Sequence, residues 1–119
     1  MNGRLGLTYD IDTAVHFIHE HTGVAADIAA VLLGAKHRYL VGMGIAGTDD
    51  AQAEQEAQAI RASAPELFPR ENMLERYVDL GLERAFIMME SGASEETVRA
   101  VVRADDEYMR TQGLTIQVG

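Results

Sequence analysis

The chain repeats itself at an offset of 69 residues, and this repeat constrains the fold more than any other feature. Residues 17–45 align with residues 86–114 without a gap, and the alignment contains six identical pairs. Ordinary composition would give roughly two identities over such a stretch. Because a repeated sequence indicates a repeated structural unit, two related units are predicted. The identical pairs are Phe17/Phe86, Ile18/Ile87, Gly23/Gly92, Ala35/Ala104, Tyr39/Tyr108 and Gly44/Gly113.

Each copy has the pattern of two helices joined at a glycine. Apolar residues recur at steps of three and four, which is typical of helices with one buried face. Gly23 and Gly92 end the first helix of each pair, because glycine adopts the left-handed conformation at a helix end without steric cost. The predicted helices cover 13–21 and 25–43 in the first copy, and 70–91 and then Ser94 to Gly113 in the second.

The segment between the copies contains an alanine-rich stretch, and a helix is predicted there over 50–62 with Thr48 or Asp49 as its cap. Both prolines follow in residues 63–72 and must interrupt the helical structure. Leu67 and Phe68 lie between these prolines, and we expect them to anchor the loop to the core.

Together these patterns predict a single all-α domain over residues 1–119, with about five helices: two repeated helix-turn-helix units, 17–45 and 86–114, joined by the alanine-rich helix. Residues 4–9 and 114–118 alternate weakly and could form short terminal strands. Gly34 and Gly42 fall inside the second predicted helix, and at least one of them is expected to allow close contact with another helix.

The chain is acidic, with 19 acids, 10 bases and a net charge of −9. Such a surface repels phosphate backbones and anionic lipids, and it therefore favours a protein partner, a cation or a small molecule. The alternative is that the charge serves only solubility. The absence of cysteine excludes disulfides and thiolate chemistry and is typical of a cytoplasmic protein. No uncharged apolar run approaches the roughly 18 residues of a membrane span, and the first ten residues lack the apolar core of a signal peptide.

The sequence from Gly92 onward, GASEETVRAVV, resembles the core of a helix-turn-helix DNA-binding motif. The resemblance lies in the turn glycine, the capping Ser94, and Thr97, Val98 and Val101 at the spacing that packs two helices together. It covers about 20 residues, and the first copy, GVAADIAAVLL, is similar but looser. The resemblance implies that the second helix of a pair would enter the major groove of DNA.

The residues that would face DNA depart from this pattern, because they are not predominantly basic. In the second copy two guanidiniums, Arg99 and Arg103, accompany the carboxylates of Glu95 and Glu96. The first copy has Ala25, Ala26, Asp27 and Ala30 at its outward positions. DNA binding requires a basic surface, so charge argues against the function that the motif implies.

Equivalent tripeptides of the two copies carry opposite charges: residues 36–38 are Lys-His-Arg, and residues 105–107 are Asp-Asp-Glu. Lys36 and Asp105 lie beside the apolar faces, where an unpaired charge would be costly. We therefore predict that the copies pack about a pseudo-two-fold axis, within one chain or between subunits, and that Lys36 pairs with Asp105. The alternative is that all six residues face water.

His16, His19 and Glu20 share one side of the first helix and could hold zinc or iron, with His37 or Glu90 as a further ligand. The alternative is a solvated helix end, where histidine interacts favourably with the helix dipole. Met88 and Met89 belong to a wide apolar band on the fourth predicted helix, and this band suggests burial in the core or at a subunit interface.

No phosphate-binding loop, nucleophile elbow or cofactor motif is present, and a non-catalytic protein without a cofactor is expected. The function predicted is a small regulatory or adaptor protein that acts through protein contacts, as a homodimer. The alternatives are a helix-turn-helix transcriptional regulator, an acidic inhibitor that mimics nucleic acid, and a helical enzyme that binds a metal or ligand. The structural and interface candidates are Lys36, Tyr39, Met88, Met89, Asp105 and Tyr108.

Overall fold

A computed structural model describes residues 10–46 and 51–113, and these residues are helical and contain no strand. This confirms the all-α class. The strands suggested at 4–9 and 114–118, and the cap suggested at Thr48 or Asp49, lie outside the described residues. The helices are α1 (Ile11–Thr22), α2 (Ala26–Gly42), α3 (Ala51–Ser63), α4 (Arg70–Glu75), α5 (Leu80–Ser91) and α6 (Glu95–Thr111), and a 3-10 turn covers Pro65–Leu67.

The offset of 69 residues relates the helices as well as the sequence. Helices α1 and α5 each contain 12 residues and α2 and α6 each contain 17, and α5 and α6 begin 69 residues after α1 and α2. Asp10 and Asp79 cap α1 and α5 through two backbone N–H groups each. Gly23 and Gly92 end these helices with φ angles of 77° and 75°. The repeat is therefore structural and extends to the helix caps.

The first helix of each unit packs against the second helices of both units. Helix α1 packs against α6 and α2, α5 packs against α2 and α6, and α2 and α6 also meet. The ring centroids of Tyr39 and Phe86 are 5.5 Å apart with an interplanar angle of 50°, and those of Tyr108 and Phe17 are 5.5 Å apart with an angle of 57°. Equivalent residues thus make equivalent contacts, as expected for units related by a pseudo-two-fold axis.

Helix α3 and the turn after it cover the far end of α2. Phe68 is buried against Tyr39, with ring centroids 4.8 Å apart, and Leu67 packs at the edge of the same cluster. A Cβ added at Gly42 would lie 2.6 Å from Phe68, whereas one at Gly34 would meet nothing within 4 Å. Gly42 is therefore the glycine that permits the close contact expected in this helix.

The single helix predicted over 70–91 is wrong, because the structure divides it into α4 and α5. Arg76 adopts a left-handed conformation with φ of 53°, and its backbone N–H donates hydrogen bonds to the carbonyl oxygens of Asn72 and Met73. Asp79 then begins α5 by accepting from the N–H groups of Gly81 and Leu82. Since α5 is thereby limited to the length of α1, the break preserves the repeat.

Candidate functional site

Lys36 and Asp105 form an ion pair in the interior, between α2 and α6. The distance from Lys36 Nζ to Asp105 Oδ2 is 2.6 Å, and both residues are buried. The two residues occupy the same position of the repeat, so the structure confirms the pairing predicted from their opposite charges. A residue that contacts its own counterpart lies at the pseudo-two-fold axis, and this pair therefore marks the axis.

A second carboxylate reaches the same ammonium group from the protein surface. Asp106 Oδ1 lies 3.6 Å from Lys36 Nζ, and its side chain is about half exposed. Burial opposes the charged form of Lys36, but the charge and hydrogen bond of Asp105 outweigh it and raise the pKa of the lysine above its ordinary value. The pair with Asp105 therefore favours the charged form of this buried lysine.

Glu83 on α5 is a third buried charged residue, and the sequence analysis did not identify it. It is 3% exposed, and within residues 10–46 and 51–113 no donor makes a hydrogen bond to its carboxylate. Burial raises the pKa of Glu83 to about 6, although the charge of Lys36 acts in the opposite direction. Its counterpart in the first unit is Ala14, so this buried carboxyl is a departure from the repeat.

Glu83 lines an open pocket between α5 and α6 with a volume of about 230 Å³. The side chains around it combine apolar groups, two carboxylates and three guanidiniums. The lining residues besides Glu83 are Leu80, Arg84, Arg99, Val102, Arg103 and Asp106. The lining thus contains three guanidiniums and two carboxylates, in contrast to the net charge of −9 of the whole chain.

The guanidiniums predicted as DNA contacts, those of Arg99 and Arg103, therefore belong to this pocket. Arg99 Nη2 lies 3.2 Å from Glu95 Oε2, and Arg84 Nε lies 3.5 Å from the same atom. Among the residues described, no carboxylate forms an ion pair with Arg103. Among the described residues, the pocket thus includes one guanidinium without an ion-pair partner and one buried carboxyl without a hydrogen-bond donor.

The predicted tyrosines have structural roles in the described part of the chain. Tyr39 is fully buried, and its hydroxyl donates a hydrogen bond of 2.8 Å to the carbonyl of Leu67. Burial, together with the charges of Glu83 and Asp79, raises the pKa of Tyr39 to about 12. Tyr108 is buried in a second apolar cluster, to which α1, α2, α5 and α6 contribute. Met88 packs against that cluster, whereas Met89 is exposed and remains available for an interface.

The residues proposed as metal ligands are not assembled into a site. Within residues 10–46 and 51–113, no three or more His, Cys, Asp or Glu side chains are grouped so that they could hold a metal ion. His16, His19 and Glu20 therefore do not form such a group. His19 Nδ1 lies 2.8 Å from the carbonyl oxygen of Val24. Glu90, suggested as a further ligand, instead pairs with Arg38 at 2.8 Å. The side chains of His16, His19 and Glu20 are exposed, as expected for a solvated helix end.

Large apolar side chains are exposed where α4 leads into α5. Leu74 is 74% exposed, Tyr77 43% and Leu80 52%. We call these three residues the apolar corner. Scattered exposed apolar residues are ordinary, but here three large ones lie within seven residues of one segment.

Comparison with protein-family models, curated proteins and solved structures gives no match to this chain. Among the helices that are described, none combines the length and apolar character needed to cross a lipid bilayer. The candidate functional features are therefore the pocket and the apolar corner.

Proposed function

We propose that the protein is a small non-catalytic regulatory or adaptor protein that acts through protein contacts and self-associates as a homodimer. The observation that carries this proposal is the apolar corner of Leu74, Tyr77 and Leu80. Covering such side chains removes apolar surface from water, which contributes roughly 25 cal/mol per Å² to association. Leu and Tyr are also rigid enough to lose little side-chain entropy when they are immobilised.

The distribution of charged groups also supports a role in binding. Lys36 and Asp105 neutralise each other in the interior, which leaves them unsuited to proton transfer with a substrate. The net charge of −9 favours association with a basic protein surface and disfavours polyanions. A second copy of the chain is the partner that can be tested directly, because a symmetric dimer would place one apolar corner against another.

The test is the molar mass of the purified protein by light scattering across a range of concentrations. A dimer would have about twice the monomer mass of 13.0 kDa. The double variant Leu74→Ser, Leu80→Ser should shift the equilibrium to monomer. Ile11→Ser is the matched control, because Ile11 is the repeat counterpart of Leu80 and is 45% exposed. A wild-type protein that stays monomeric at every concentration, or a double variant that dimerises equally well, contradicts the proposed homodimer.

A helix-turn-helix DNA-binding regulator is the second candidate, and the exposure of Arg99 and Arg103 one turn apart on α6 favours it. Against it, Glu95 occupies the same surface and pairs with Arg99. Retention on immobilised duplex DNA should weaken steeply with salt if phosphates are contacted. Capture of a basic nucleic-acid-binding protein, with no retention on DNA, would instead support the nucleic-acid mimic.

A further inference from the structure

The pocket between α5 and α6 contains a buried acceptor that the described residues leave unsatisfied. Glu83 is 97% removed from solvent, lines the pocket and receives no hydrogen bond from the residues that the structure covers. A buried polar group without a partner is costly, on the order of 1–3 kcal/mol, and native proteins rarely retain one without a role. Ala14 at the equivalent position shows that the repeat itself does not require a carboxyl there.

Apart from Asp106, which lies 3.6 Å from the ammonium group of Lys36, the other charged groups of the pocket are guanidiniums. Arg103 has no ion-pair partner among the described residues, and Arg84 and Arg99 share the single carboxylate of Glu95. Guanidinium groups are donors only and match the planar oxygens of carboxylates or phosphates. The pocket therefore offers an acceptor for a cation and, separately, donors for an anion, and Leu80 and Val102 supply apolar surface.

The geometry points to a binding site for a small zwitterion whose ammonium group is accepted by Glu83 and whose carboxylate or phosphate is bound by Arg103 and its neighbours. The volume of about 230 Å³ lies below the roughly 300 Å³ at which pockets begin to hold drug-sized ligands. The ligand is accordingly a short molecule, with a few methylene groups between its charges. Such a ligand satisfies Glu83 and Arg103 together, which neither an amine nor an anion alone can do.

The test is isothermal titration calorimetry of the full chain with probes that separate these contributions. The zwitterions are 4-aminobutanoate and 2-aminoethyl phosphate, which distinguish a carboxylate from a phosphate. Butylamine and butanoate each carry only one of the two charges. We expect at least one zwitterion to bind about tenfold more tightly than either single-charge probe, a ratio that corresponds to roughly 1.4 kcal/mol.

Three variants identify the site. Glu83→Ala reproduces the residue of the first unit and should weaken binding of the zwitterion by about tenfold or more, as should Arg103→Gln. Arg110→Gln removes an exposed arginine from the same helix, outside the pocket, and should leave binding unchanged. Circular dichroism of each variant verifies that the helices are intact.

Several results overturn the proposal. Absence of heat with both zwitterions at about 10 mM excludes any affinity tighter than roughly that concentration. Butanoate binding as well as the zwitterions would assign the site to anions alone. Binding that survives Glu83→Ala would show that the buried carboxyl is not the acceptor. Because Leu80 belongs to both the apolar corner and the pocket, the titrations are read beside the molar mass measured at the same protein concentration, so that loss of ligand binding and loss of dimerisation are distinguished.

Discussion

Lys36 and Asp105 occupy the same position in the two repeats, and their side chains meet in an ion pair with a distance of 2.6 Å from Lys36 Nζ to Asp105 Oδ2. A position that faces its own counterpart cannot carry the same charge in both units without repulsion. The divergence of the two copies at this position is therefore a requirement of their packing. Burying both partners is expensive, and the pair is better regarded as specifying which helices meet than as adding net stability.

Reversing the charge of either member of this pair should bring two buried like charges together, each without its counter-charge. We expect Lys36→Asp and Asp105→Lys each to lower the free energy of unfolding by about 3–5 kcal/mol. The double variant exchanges the two charges and keeps one cation beside Glu83, so most of the loss should be recovered. Urea denaturation of the four proteins gives the coupling energy. A double variant no more stable than the singles would show that the pairing has no energetic role.

The carboxyl of Glu83 should make stability depend on pH. Its pKa is raised from 4.5 to about 6 in the folded protein, so the folded chain binds more protons than the unfolded chain between these values. The contribution of Glu83 to the free energy of unfolding must then fall as the pH rises through this window, by about 2 kcal/mol for the whole shift. The charged groups around Glu83 are Lys36, Asp105, Asp106, Arg84, Arg99 and Arg103.

Replacing this carboxyl by an amide isolates its contribution. Between pH 4 and 7, the stability of Glu83→Gln relative to the wild-type protein should increase by about 2 kcal/mol. Glu107→Gln, which removes an exposed carboxylate of α6, is the control and should produce a much smaller change. Parallel pH profiles for the wild-type protein and Glu83→Gln would be inconsistent with a raised pKa.

The two glycines of α2 should respond in opposite directions to alanine. At Gly42 the new Cβ would lie 2.6 Å from Phe68 Cε1 and 2.9 Å from Ile60 Cγ2, and overpacking of this kind costs about 1–3 kcal/mol. At Gly34 the Cβ meets nothing within 4 Å, so the helix propensity of alanine should stabilise by up to about 1 kcal/mol. Thermal unfolding should therefore rank Gly34→Ala above the wild-type protein and Gly42→Ala below it. The opposite order would contradict the close packing at Gly42.

Much of this architecture could be predicted because the sequence contains the same helix pair twice. The repeat located the helices on either side of Gly23 and Gly92, and the opposite charges of Lys36 and Asp105 identified a contact between residues distant in the chain. These inferences succeed because a helix pair that is half buried needs the same apolar spacing and the same turn glycine in each copy.

The break between α4 and α5 and the burial of Glu83 could not be predicted, because the types of the residues involved do not indicate their environment. Arg76 ends α4 in a left-handed conformation that few non-glycine residues adopt, and the apolar pattern continues across it. Glu83 is charged, and charged residues are rarely buried. A longer alignment of the repeat would have paired Asp79 with the capping Asp10, and it would thereby have predicted the start of α5. It would also have paired Glu83 with Ala14, and it would thereby have placed an acid at a core position.

The packing of each first helix on the second helix of the other unit has a consequence for a severed chain. Helices α1 and α5 contact the second helix of the opposite unit as well as that of their own, so a cut between α2 and α5 would expose apolar surface on both fragments. A fragment that associated with another copy of itself would bring lysine against lysine or aspartate against aspartate at the axis. Only the mixed combination restores the native ion pair, so the two fragments should associate with each other in preference to their own copies.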